Sequence, residues 1–161
     1  MLLVEVVNET ELAVDEDVAA RAVLLVVESE ELESGEVALA FIEEGAMAEL
    51  NERYRGSDEA TDVLSFPGGP DDDSDWPDPE ADATHDRAPF LGDVLVCPAA
   101  ARRNALDDGI SVAEELRRLV VHGVLHLLGY DHEVDRGEMR AREAAILDDP
   151  AWTALTPLLP E

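Results

Sequence analysis

The stretch SVAEELRRLVVHGVLHLLGYDH, residues Ser111 to His132, is where the chain declares its architecture. Ser111 followed three residues later by Glu114 is a capping box, so a helix opens here, and apolar periodicity carries it through Leu128. Gly129 supplies the stop, because glycine takes the left-handed conformation on which helices end. Three of the four histidines stand in the last eleven residues of the segment. His122 and His126 are four apart, which projects both rings from one helical face, a turn apart and within reach of one metal ion. A sharp turn at Gly129 lets His132 fold back as a third ligand. Three neutral imidazoles with an open fourth position describe a catalytic zinc site rather than a closed structural one, so one Zn2+ per chain is expected.

The spacing H-x3-H-x2-G-x2-H is also that of the metzincin peptidases, in which a Glu after the first His acts as general base. Gly123 stands there instead. Glycine can neither take a proton nor orient a water, so peptide hydrolysis by that route is not expected. Asp131 and Asp93 are the nearest candidates for a base, but an Asp beside a zinc ligand as often orients an imidazole, and neither is assigned. Tyr130 reads as a core aromatic with a satisfied hydroxyl and Met139 as a core filler. Cys97 reads as a small hydrophobe on a buried strand rather than a fourth ligand, and His85 as a solvated loop residue.

Outward from this segment, strands are expected over Leu2–Val7, Val37–Ile42, Thr61–Phe66 and Leu91–Cys97. Helices are expected over Asp15–Glu30, with apolar positions Val18, Ala22, Leu25 and Val26, over Gly45–Arg55, and from Pro98 to about Asp107. A further helix over Val134–Leu147 is closed by Pro150, and the tail from Ala151 to Glu161 packs irregularly. Residues 67–90 hold five of the nine prolines, and residues 71–86 hold eight acids with no Lys or Arg. That composition cannot bury enough apolar surface to order itself, so an acidic, mobile insertion at 68–90 is expected between two strands that could be neighbours.

The 161 residues, 46% hydrophobic and 31% charged, suit one domain with one sizeable core. Acids outnumber bases 39 to 11, every base is Arg, and the formal charge is -28, which excludes a generally basic nucleic-acid coat. Biased codon usage or a high-salt cytoplasm accounts for such a balance. Residues 98–142, with eight acids and seven Arg, are close to neutral, and an anionic ligand would meet least repulsion there. No apolar run is longer than that from Ala22 to Val27, far below the roughly 20 residues needed to span a bilayer. With an N-terminus that lacks a basic signal region and a single cysteine, a cytoplasmic location is expected.

Three stretches in the same order are similar to the motifs of a known family. HGVLHLLGYDH resembles the signature HGxLHLxGYDH of the YbeY endoribonucleases, LNERYRGSDEATDVLSFP (Leu50 to Pro67) resembles their LN-x2-[FY]-R-x2-D-x2-TDVLSFP motif, and LGDVLVC (Leu91 to Cys97) their LGDI strand. The resemblance implies an α+β single domain with a small mixed β-sheet packed with helices, a metzincin-like site with His122, His126 and His132 as zinc ligands, and Arg55 as a functional residue in the cleft. It further implies a single-strand-specific endoribonuclease acting on ribosomal RNA in 16S 3′-end maturation and ribosome quality control. The implied partners are single-stranded RNA, ribosomal RNA and the small ribosomal subunit, with no DNA and no membrane. Arg55 would grip the scissile phosphate bidentately. Arg102, Arg103, Arg117 and Arg118 would either contact RNA phosphates or pair with Glu114 and Glu115. The residues also leave open a metal-dependent hydrolase of another substrate, peptides included, and a non-enzymatic ribosome-assembly factor with structural zinc.

Overall fold

Helix α4 (Val112–Leu127) lies at the centre of the molecule. The computed structural model describes residues 1–55, 61–68, 89–131 and 135–153, with only the backbone of Arg55 and Thr153. Among these, the chain runs β1 (Leu2–Asn8), α1 (Glu16–Ser29), β2 (Gly35–Phe41), α2 (Glu44–Arg55), β3 (Val63–Pro67), β4 (Phe90–Val96), α3 (Pro98–Asp108), α4, α5 (Glu138–Asp148) and α6 (Pro150–Thr153). The four strands form one mixed sheet in the order β1-β2-β4-β3. β1 and β4 run parallel to β2, while β3 pairs antiparallel with β4, from Val63 opposite Val96 to Pro67 opposite Gly92. The strands flanking the acidic insertion are thus neighbours, as their spacing suggested. Residues 69–88 of that insertion lie outside the described residues, and so does the tail from 154.

Alternation along the strands sorts the sheet into two faces. Val4, Val6, Val37, Leu39, Phe41, Val94 and Val96 point to one face and pack against α1 and α4 in the larger core, where Met139, Ile146 and Trp152 also lie. α1 meets it with Ala19, Ala22, Val23, Val26 and Val27, so the stripe is turned slightly from the expected one, leaving Val18 and Leu25 half-buried. On the other face a smaller cluster of Ile42, Met47, Leu64, Cys97 and Ala100 gathers under α2 and the start of α3. Tyr54 of α2 is exposed and rests edge-on against Phe66, ring centroids 5.0 Å apart.

Local chemistry sets most of the boundaries. Asp15 caps α1 by accepting from Val18 N–H, Ser111 caps α4 by accepting from Glu114 N–H, and Pro98 opens α3, which ends at Gly109 in the left-handed conformation. Two expectations are corrected. The fifth helix begins at Glu138 rather than Val134, because the Asp135 carboxylate accepts from the backbone N–H groups of Gly137 and Met139 and fixes the start there. Pro150 does not simply close that helix but opens the short α6, whose Trp152 is buried.

Candidate active site

α4 crosses the covered face of the sheet above β3 and β4, and Gly123 is what lets it come so close. A Cβ at this position would meet Val94 Cγ1 at 2.5 Å, Val63 Cγ2 at 3.1 Å and Ser65 Oγ at 3.3 Å. Ser65 Oγ donates to the Gly123 carbonyl at 2.8 Å, a second tie between helix and edge strand. The metzincin base position therefore faces the sheet in this protein, and a side chain there would have no room to reach a substrate.

From the same stretch of helix, His122 and His126 point into a cleft of about 660 Å³ that opens at the β3 edge of the sheet. Both are half-buried on a helix whose neighbouring residues are almost all buried. Their rings sit edge to face, with centroids 4.7 Å apart and planes at 73°. The His122 Nδ1 atom lies 2.7 Å from Glu143 Oε1 on α5. After α4 the chain reverses as expected. Tyr130 N–H donates to Leu125 O and Gly129 N–H to His126 O, with Gly129 at φ +103, a left-handed helix end that turns Tyr130 and Asp131 along the cleft wall.

The wall is pinned from behind. Tyr130 Oη donates to Glu30 Oε2 at 2.9 Å, Arg142 Nε donates to the other Glu30 oxygen, and Arg142 Nη2 donates to Ser29 O at 2.5 Å. Tyr130 is thus an aromatic with a satisfied hydroxyl, its pKa raised by burial first and by Glu30 second. Opposite, Asp62 lines the cleft with Oδ2 accepting from Asn104 at 3.0 Å and its carbonyl accepting from Cys97 N–H at 2.9 Å.

Two of the three expected metal ligands are therefore brought together, and paired imidazoles one turn apart in an open cleft are a donor set that fits zinc. His132 lies outside the described residues, and among the described residues no group of three His, Cys, Asp or Glu side chains is placed to hold a metal ion. Arg55 is the last residue of α2, and its side chain is likewise outside the description; so is His85. Asp93 is removed as a base, because it alternates with the covered-face residue Val94 and so points to the opposite face, where burial first and Glu5 second raise its pKa. Met139 and Cys97 are both fully buried, in agreement with packing roles. Of the arginines, Arg118 pairs with Glu114 at 3.7 Å, whereas Arg103 pairs with Glu44 at 2.6 Å rather than with Glu114 or Glu115. Glu143 went unnoticed in the sequence, although a Glu four residues after Met139 and three before Ile146, on the buried face of a helix, is a signal.

The sequence profile described as Endoribonuclease YbeY matches residues 5–150. The chain belongs to the YbeY family. It is 45% identical to the Endoribonuclease YbeY of Desulfitobacterium hafniense over 130 residues, 80% of this chain and 78% of that one. With the Endoribonuclease YbeY of Salinispora tropica it shares 41% identity over 152 residues, 89% of this chain and 93% of the relative. The solution structure of TM1509 from Thermotoga maritima superposes with a TM-score of 0.58 at 26% identity, covering 89% of this chain and 86% of that one. The α+β class with a small mixed sheet, expected from the YbeY resemblance, is the observed one. No helix among the described residues is long and apolar enough to cross a membrane.

Proposed function

We propose that this YbeY-family chain is a zinc-dependent, single-strand-specific endoribonuclease that acts in the cytoplasm on the 3′ end of 16S ribosomal RNA and in ribosome quality control. The observation that supports it most is the pair His122 and His126, aimed from one helical face into the cleft of a protein whose relatives are named as endoribonucleases. His122, His126 and His132 would hold the metal. When bound, zinc supplies Lewis acidity, which polarises a phosphoryl oxygen and acidifies water towards a pKa of about 7. The protein supplies the rest. The cleft opens at the edge strand β3, so a chain substrate can cross it without threading through the fold. Arg55, at the end of α2, would pair with the scissile phosphate through its planar fork and offset charge developing there. Asn104, donating to Asp62, holds one carboxylate oxygen of the cleft wall in a hydrogen bond. Single-stranded and ribosomal RNA on the small subunit are the proposed partners.

The test is metal analysis of the purified protein followed by single-turnover cleavage of a single-stranded RNA before and after chelation. One zinc per chain, lost in His126→Ala, and cleavage abolished by chelation are the expected results. Unchanged zinc content in His126→Ala would overturn the metal assignment, and metal-independent cleavage the mechanism. Arg55→Ala should keep zinc and fold yet cut cleavage by roughly two orders of magnitude, with little rescue by Lys. Equal rates would remove Arg55 from the site.

A further inference from the structure

The contact between His122 on α4 and Glu143 on α5 joins residues 21 apart in sequence, and the glutamate lies outside the three stretches that resemble the family's motifs. An ionised carboxylate can only accept hydrogen bonds, so a Nδ1 to Oε1 separation of 2.7 Å requires the proton to sit on Nδ1. The distance is at the short end for such a bond, as charge assistance makes it. Side-chain exposure is 28% for His122 and 24% for Glu143, so water competes poorly for either partner. The carboxylate is also well anchored. Met139 and Ile146, one turn either side of Glu143 on the same face of α5, are buried in the main core, while Arg142 ties that helix to the end of α1 through Glu30 and Ser29.

We infer that Glu143 is a positioning residue that fixes the ring of His122 with its proton on Nδ1 and so assigns metal binding to Nε2. This rests on the reading of His122 as a metal ligand. A lone imidazole on a helix samples both tautomers and both ring flips, and only one combination presents a bare nitrogen to the ion. Glu143 selects it before the metal arrives and raises the basicity of the ligating nitrogen, and loss of such a partner weakens metal binding by about 10–100-fold. A glutamate that merely tethered α5 to α4 would change stability and leave the affinity of the folded protein alone.

The experiment compares wild type, Glu143→Ala, Glu143→Gln and His126→Ala. Zinc affinity is measured by competition with a chromophoric chelator, and the His122 tautomer is read from long-range proton–nitrogen NMR of the metal-free proteins above the histidine titration range. Wild type should show the proton on Nδ1. Glu143→Ala should mix the tautomers and bind zinc about 10–100-fold more weakly. Glu143→Gln, which keeps an accepting oxygen, should keep the tautomer and lose less affinity than the alanine variant. Wild-type His122 protonated on Nε2 overturns the inference even if Glu143→Ala fails to fold. So does a folded Glu143→Ala with wild-type zinc affinity, and if His126→Ala has meanwhile lost zinc, the metal reading survives that failure. Zinc affinity unchanged in His126→Ala instead removes the metal reading, and the positioning role with it.

Discussion

The two faces of the sheet differ in how tightly they are held. Towards α1 and α4, Val37, Leu39, Phe41, Val94 and Val96 are all 2% exposed or less, and α4 approaches so closely that position 123 has no room for a Cβ. On the other face α2 covers only part of the sheet. Beyond it Leu3, Val7 and Phe90 are 45%, 40% and 43% exposed, and Glu5, Ala38 and Asp93 sit in register across β1, β2 and β4. The histidines belong to the tight side. A site that must hold ligands to fractions of an ångström gains from a helix clamped on two strands, whereas the looser face has no such geometry to keep.

That contrast can be broken by substitution. The largest effect is expected for Gly123→Glu, which drives a side chain into Val94 and Val63 and buries an unpaired charge. It should cost upwards of about 4 kcal/mol in urea unfolding of the metal-free protein or prevent folding. A variant within about 1 kcal/mol of wild type would mean that α4 does not lie where we place it.

Next come matched truncations on the two faces. Phe41→Ala, from a fully buried position, should cost about 3–5 kcal/mol, and Leu3→Ala less than about 1 kcal/mol. Equal midpoint shifts in the two denaturation curves would erase the distinction between the faces.

Ser65→Ala removes the hydrogen bond from the edge strand to the Gly123 carbonyl and should cost about 1 kcal/mol. Since Ser65 also lines the cleft, zinc affinity measured on the same variant sharpens the comparison, because a fall there would show that the tie positions the histidines as well as the strand.

The smallest effect concerns Glu115 of α4, only 6% exposed. Burial raises its carboxyl above the ordinary glutamate value, Arg118 opposes that shift, and Asp108, Asp62 and Glu114 reinforce it. A pKa higher in the folded than in the unfolded state contributes stability below the unfolded value of about 4.3, and that contribution is lost as pH rises through the folded value. Glu115→Gln does not titrate. Its melting temperature should therefore gain on wild type between pH 3 and pH 7, by no more than about 2 °C, since Arg118 offsets part of the shift. A gain that shrinks with rising pH would reverse the assigned sign.

The sequence by itself determined what short-range physics controls. The capping box at Ser111, Pro98 at a helix start, the glycine turn at 129 and the apolar periodicities placed nearly every element to within a few residues, and the four-residue spacing put His122 and His126 on one face. It misjudged the start of α5, where the side chain of Asp135 outcompetes helical periodicity, and the role of Pro150, which the pattern alone reads as a stop. The tertiary structure alone decided the strand order, the face on which Asp93 lies, and that Val94, Val63 and Ser65 are what Gly123 packs against. It also brought Glu143 to His122 and Arg142 to Glu30, which are 112 residues apart. Periodicity tells each residue which way to point relative to its own element; which element waits there depends on how all the apolar faces are buried at once, and no single stretch of sequence encodes that.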